Sequence, residues 1–161
     1  MTFGGAGAPR SGVIIVSNVL IGIIGVILFI GLALAGALFL SPRFQESTNN
    51  STASASVQAV SQVAHAANMY SVQEGRAATD VDALTTGRYL KSLPGNPTSS
   101  TNAPYLNSGY VIMPLETGAE AVCSAIVRQA TSLTAIPEND LSHGTSCYRT
   151  TSGGYAVYSK I

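Results

Sequence analysis

From Ser11 to Leu40 the chain runs for thirty residues, SGVIIVSNVLIGIIGVILFIGLALAGALFL, without one Asp, Glu, Lys or Arg. As a helix rising about 1.5 Å per residue this stretch is about 45 Å long, against roughly 30 Å for the hydrocarbon core of a bilayer. Its polar side chains, Ser11, Ser17 and Asn18, lie near its start, and Val19 to Leu40 is apolar throughout. That second part is long enough to span a membrane alone. Gly22, Gly25, Gly31 and Gly36 are tolerated in a membrane helix and let neighbouring helices come close. A cleaved secretory signal would carry an apolar region of only about 7–15 residues followed by a small-residue cleavage site. The run here is far longer, and Ser41-Pro42-Arg43 is a poor cleavage site. A retained membrane helix is the expectation.

Charged residues make up 10% of the chain, where an ordinary soluble domain carries roughly 25%. Eight Lys and Arg balance eight Asp and Glu, so no basic surface recommends nucleic acid as a partner. Arg10 and Arg43 flank the apolar run on opposite sides and leave its orientation open by charge alone. The cysteines orient it better. Cys123 and Cys147 are the only pair and neither sits in a CxxC. In a small exported domain such a pair is most simply a disulfide, which needs an oxidising compartment. Closing a loop of about 25 residues is worth roughly 3–4 kcal/mol by the chain-entropy relation. The N-terminus is therefore expected in the cytoplasm and the bulk of the chain outside.

Beyond Pro42, which is expected to kink or interrupt the helix, Val57, Val60, Val63, Ala64, Ala67 and Tyr70 recur at spacings of three and four. This predicts an amphipathic helix over about Ser51 to Glu74, stopped at Gly75. Arg76 to Asn107 reads as loop, holding one short helix over Asp80–Leu90 with Asp80 as N-cap. Gly109–Leu115 and Gly154–Ile161 read as strands and Glu120–Ala130 as a helix. The fold expected is α+β, a long N-terminal helix packed on a small, mostly antiparallel sheet. Four regions follow: 1–12 as leader or short cytoplasmic segment, 13–41 as hydrophobic helix, 42–75 as its amphipathic half, and 76–161 as a small globular domain. The last is near the lower size limit for independent stability, so the helix face and the disulfide are structural necessities.

Residues able to do chemistry are scarce. His65 and His143 are far apart and read as solvated, and two thiolates with one nearby histidine fall short of a structural zinc site. No GxSxG, P-loop or HExxH pattern occurs. Asp80/Asp82 and Glu138/Asp140 are better explained by capping or solvation than by acid–base work. No catalytic residue, metal ligand or cofactor is assigned, and an enzyme is not expected. Seven tyrosines with Ser/Thr-rich loops fit a protein-binding surface and a small core of polar-tipped rings equally well.

Together these features resemble a type IV pilin over most of the chain. The closest local match is Asp82-Ala83-Leu84-Thr85-Thr86-Gly87-Arg88-Tyr89-Leu90-Lys91-Ser92-Leu93-Pro94-Gly95-Asn96-Pro97, similar to the leucine, glycine, tyrosine-leucine, proline passage that follows the first pilin helix. The placement of Cys123 and Cys147 is similar to that in type IVb pilins, including the major subunits of conjugative thin pili. The resemblance implies a leader cut between Gly12 and Val13. The fifth residue of the product would then be Ser17, where the family carries a glutamate, leaving Ser17 and Asn18 as polar contacts in the helix core.

What the resemblance implies for function is a structural subunit of an extracellular filament serving adhesion, conjugation or motility. Its partners would be further copies of itself in a helical homopolymer, the inner membrane before assembly, the pilus assembly machinery and a prepilin peptidase. Gly22 and Gly25 would lie where helices bundle, and no nucleic acid would be bound directly. The alternative is a monomeric, membrane-anchored exported binding domain whose helix is an anchor only.

Overall fold

A computed structural model of the chain describes the backbone of residues 12–161 and the side chains of residues 19–38 and 43–161. The first element, α1, runs over Gly12–Glu74. The helix continues through Pro42, whose side chain lies outside the described residues, as do residues 1–11 of the expected leader and the side chains of Val13, Ser17 and Asn18. Gly75, at φ +68, takes the left-handed conformation that ends a helix without steric cost. The described residues up to Gln45 belong to one unit and Glu46–Ile161 form a second, so α1 from Glu46 onward belongs with the sheet.

Helix α2, Val81–Thr86, is capped by Asp80, whose carboxylate accepts the Ala83 N–H at 2.7 Å. It ends four residues earlier than the sequence pattern suggests. Gly87 folds its N–H back to Ala83 O, and Arg88 enters the left-handed region at φ 63. The Tyr89 and Leu90 N–H groups then both donate to Leu84 O. Leu90 thus packs on the core from a loop.

The sheet comprises β1 Tyr105–Asn107, β2 Tyr110–Pro114, β3 Thr145–Arg149 and β4 Tyr155–Lys160. Its order is β1-β2-β4-β3 and every pair is antiparallel. Strands β1 and β2 are joined by Ser108 and Gly109 at φ 48 and 86. Two successive positive φ values make the tight turn whose twist matches the strands it connects. Helix α3, Glu120–Thr131, buries Val122, Cys123, Ala125, Ile126 and Val127 and stops at Ser132, at φ 59. It lies against β3 and β4.

Because strand side chains alternate, the sheet has two apolar faces. Val111, Met113, Cys147 and Val157 join Val60, Val63, Ala67 and Tyr70 of α1 and Cys123 and Ile126 of α3 in one core. Ile112, Tyr148, Ala156 and Tyr158 form a second cluster on the other face, with Tyr110 and Leu141 against it. The architecture is therefore α+β, with a long N-terminal apolar helix and a small antiparallel sheet. Strands β1 and β3 were not anticipated. The first has three residues, too few for a periodic signal, and the second points only Cys147 among its buried residues toward the main core.

Candidate assembly surfaces

No side chain described between Val19 and Leu38 is buried, and thirteen of its large apolar residues lie open, from Val19 and Leu20 to Leu38 at 76% exposure. Among the described residues this is the one helix long and apolar enough to cross a membrane, as an anchor or a signal sequence would be. Apart from the helix's own backbone, Gly22, Gly25 and Gly31 have no heavy atom of the described residues within 4 Å of where a Cβ would stand. Their lack of a side chain answers to no close contact among the described residues.

The second half of α1 has two unlike faces. Ala53, Ser56, Val60, Val63, Ala67 and Tyr70 are buried, at spacings of three and four that form a single stripe. Ser56 hides its hydroxyl by donating to Thr52 O at 2.8 Å. The opposite face is open, with Met69 at 55% and Val72 at 83% exposure, and His65 stands on it. At the end of the helix Tyr70 meets Tyr89 edge-to-face at 5.3 Å, and the Tyr89 hydroxyl donates to Glu74 at 3.1 Å. Loss of surrounding water, then the Glu74 carboxylate, pushes the Tyr89 phenol above its ordinary value.

Cys123 and Cys147 are bonded to each other across α3 and β3, and both are fully buried. This is the pairing the sequence predicts. The loop after α2 is fastened by Asn96. Its amide nitrogen donates to Asn102 O at 2.8 Å and Pro114 O at 2.7 Å, while its oxygen accepts the Thr98 N–H and hydroxyl at 3.0 and 2.8 Å. One half-buried side chain therefore ties residues 96–102 to the end of β2, a role the sequence left unmarked.

The tyrosines divide between core and surface. Tyr158 is fully buried, Tyr148 nearly so, and Tyr105 is 43% exposed. Tyr158 meets Tyr110 and Tyr148 edge-to-face at 6.0 and 5.8 Å. Burial raises the Tyr148 phenol, with Tyr105 adding to it. Burial raises Tyr158 too, opposed by the N–H that His143 donates to its oxygen and reinforced by Asp140 and Tyr110. His143 is thus half-buried rather than solvated. Asp140 accepts the Ser142 N–H at 2.8 Å, and its hydrogen bonds to Ser142 lower its carboxyl below the ordinary value. Glu138 reaches Arg149 at 4.0 Å, both well exposed. Asp80, Glu138 and Asp140 serve local structure in this way, and Asp82 stands in the first turn of α2.

Among the described residues no three His, Cys, Asp or Glu side chains are grouped to hold a metal ion. A groove of about 320 Å³ lies between α1 and the β1–β2 turn, lined by Ala67, Asn68, Ser71, Leu106 and Ser108 among others, with no charged side chain. No family model, no curated protein and no solved structure matches this chain.

Proposed function

We propose that the chain is a structural subunit of a type IV pilus-like extracellular filament, serving adhesion, conjugation or motility. The observation that carries this reading is the division of α1. One part is open and apolar on every described side, and the other is an integral part of a disulfide-linked globular core. In the inner membrane, lipid covers the apolar part. In a filament, the same part of neighbouring copies covers it, and the globular units tile the outside. A heterologous contact that does not close on itself extends such a contact into a helical polymer. Export through pilus assembly machinery and trimming by a prepilin peptidase between Gly12 and Val13 belong to this reading.

Ser17, standing where the resembled family carries a glutamate, favours a second reading, a monomeric membrane-anchored binding domain facing outward. Electron microscopy of material sheared from expressing cells, with N-terminal sequencing, separates the two. Thin filaments whose subunits begin at Val13 support a processed pilin-like subunit. Filaments beginning elsewhere retain the filament and overturn the cleavage site. Detergent-extracted monomer alone, with assembly machinery present, supports the anchored domain.

A further inference from the structure

Between Glu46 and Glu74 helix α1 contains no Asp, Glu, Lys or Arg in 27 residues. The core-facing half of such a stretch needs no charge, but its outward half is surface, where charged residues ordinarily make up roughly 25–35%. Depletion of charge from an exposed surface is the compositional mark of an interface centre. The exposed residues Ala55, Gln58, Gln62, His65, Met69 and Val72 are, moreover, spaced 3, 4, 3, 4 and 3 apart. That spacing lays them along one seam of the helix, the pattern by which two helices pair side by side. The core-facing stripe has the same spacing around the helix from it, so α1 carries two seams and the globular unit occupies only one.

We infer that the outer seam is covered by the same seam of a second copy of this chain, in a parallel, in-register pair. Three features select this occupant. An uncharged face meets its own copy without the like-charge repulsion that a charged face would incur. The Gln58 and Gln62 amides both donate and accept, so each is satisfied by its own counterpart. A lipid surface is the poorer match, because helices that lie on membranes carry Lys and Arg along their polar face, and this stretch has neither. Two copies inserted in one bilayer by their apolar segments run in the same direction, which makes the pair parallel. The seam is short, about 27 Å at 1.5 Å per residue, and polar at its centre. Its strength comes from the high effective concentration of two tethered copies. The inference rests on the membrane stage of the proposed function and not on filament growth.

The described residues contain no free cysteine, so a single introduced cysteine reports on contact between copies. Gln62→Cys and His65→Cys, each in the full chain in native membranes, are treated with a short bis-maleimide beside Asn68→Cys and Gln129→Cys, which are exposed but off the seam. The expected result is a doubling of apparent mass for the first two variants and none above background for the others. Equal dimer at all four positions, or none at 62 and 65, overturns the pair. Microscopy of the same cells keeps the two ideas apart. Filaments without same-residue crosslinks remove the pair and leave the filament, whereas crosslinks without filaments do the reverse.

Discussion

Replacing both Cys123 and Cys147 by alanine tests whether the globular unit depends on a covalent link between α3 and β3. The two residues are separated by 24 positions. For a closed loop of about 25 residues, the chain-entropy relation gives about 12 cal/mol/K of denatured-state entropy, or about 3.5 kcal/mol at 25 °C. Against a typical total of about 5–15 kcal/mol, this is between a quarter and most of the stability. Both sulfurs are fully buried, so truncation to alanine also removes packing, and the measured loss should be no smaller than the entropic figure. The assay is urea unfolding of the detergent-solubilised full chain, followed by tyrosine emission since the sequence has no tryptophan. With a slope of about 1–3 kcal/mol/M, the midpoint should fall by about 1–3 M. A shift below about 0.5 M at an unchanged slope would refute the reasoning, because the link would then not restrict the unfolded chain. Burial makes a second demand: reductant without denaturant should leave the bond intact.

Asn96→Ala removes four hydrogen bonds from a half-buried loop and should cost about 2–4 kcal/mol in thermal unfolding; a loss under about 0.5 kcal/mol would mean that water replaces the amide without penalty. Tyr148 and Tyr158 are acids whose folded pKa lies above the ordinary 10.0, so the folded state holds their protons more tightly than the unfolded chain. Stability from these groups is therefore complete below about pH 10 and is lost as pH rises through their folded values; a flat stability profile from pH 9 to 12 would contradict this. At Gly25 an added Cβ meets no neighbouring group among the described residues, and Gly25→Leu keeps the segment apolar, so membrane insertion should persist while filament yield falls; normal filaments would show that helices do not approach closely there.

The sequence was most legible where one physical signal acted alone. The apolar run marks its own helix, and the spacing of Val60, Val63, Ala67 and Tyr70 marks the buried face of the next stretch. The lone cysteine pair fixes a contact between α3 and β3, although β3 itself was not recognised. Signals failed where tertiary contacts replace periodicity. The Asp80 cap was readable, but the early stop of α2 depends on Gly87 and Arg88 turning the chain so that two N–H groups share the Leu84 carbonyl. The Asn107-Ser108-Gly109-Tyr110 turn had a glycine to announce it, yet its first strand was too short to register. Asn96 looked like any loop asparagine, because its four partners come from positions that only the fold assembles. The outer seam of α1 was overlooked for another reason. Its residues are polar enough to pass for solvent-facing, and what distinguishes them is the charge they lack.

The exposed apolar segment decides more than its chemistry suggests. Thirteen large side chains between Val19 and Leu38 remain a half to three-quarters open. Covering the remainder is worth roughly 1–2 kcal/mol each, and so on the order of 15–25 kcal/mol for the segment. That exceeds the about 5–15 kcal/mol that holds a typical domain folded. Under both proposed readings, this apolar area calls for a cover, either lipid or further copies of the segment. Lipid and copies of the segment cover apolar area about equally well, so hydrophobicity cannot choose between anchor and filament. The choice falls to features indifferent to lipid. Under the proposed filament, the glycines at 22 and 25 let another helix come close, and the charge-free face beyond Glu46 is one that another surface can cover. Both belong to the proposed filament and pair, and each is open to a substitution that tests it.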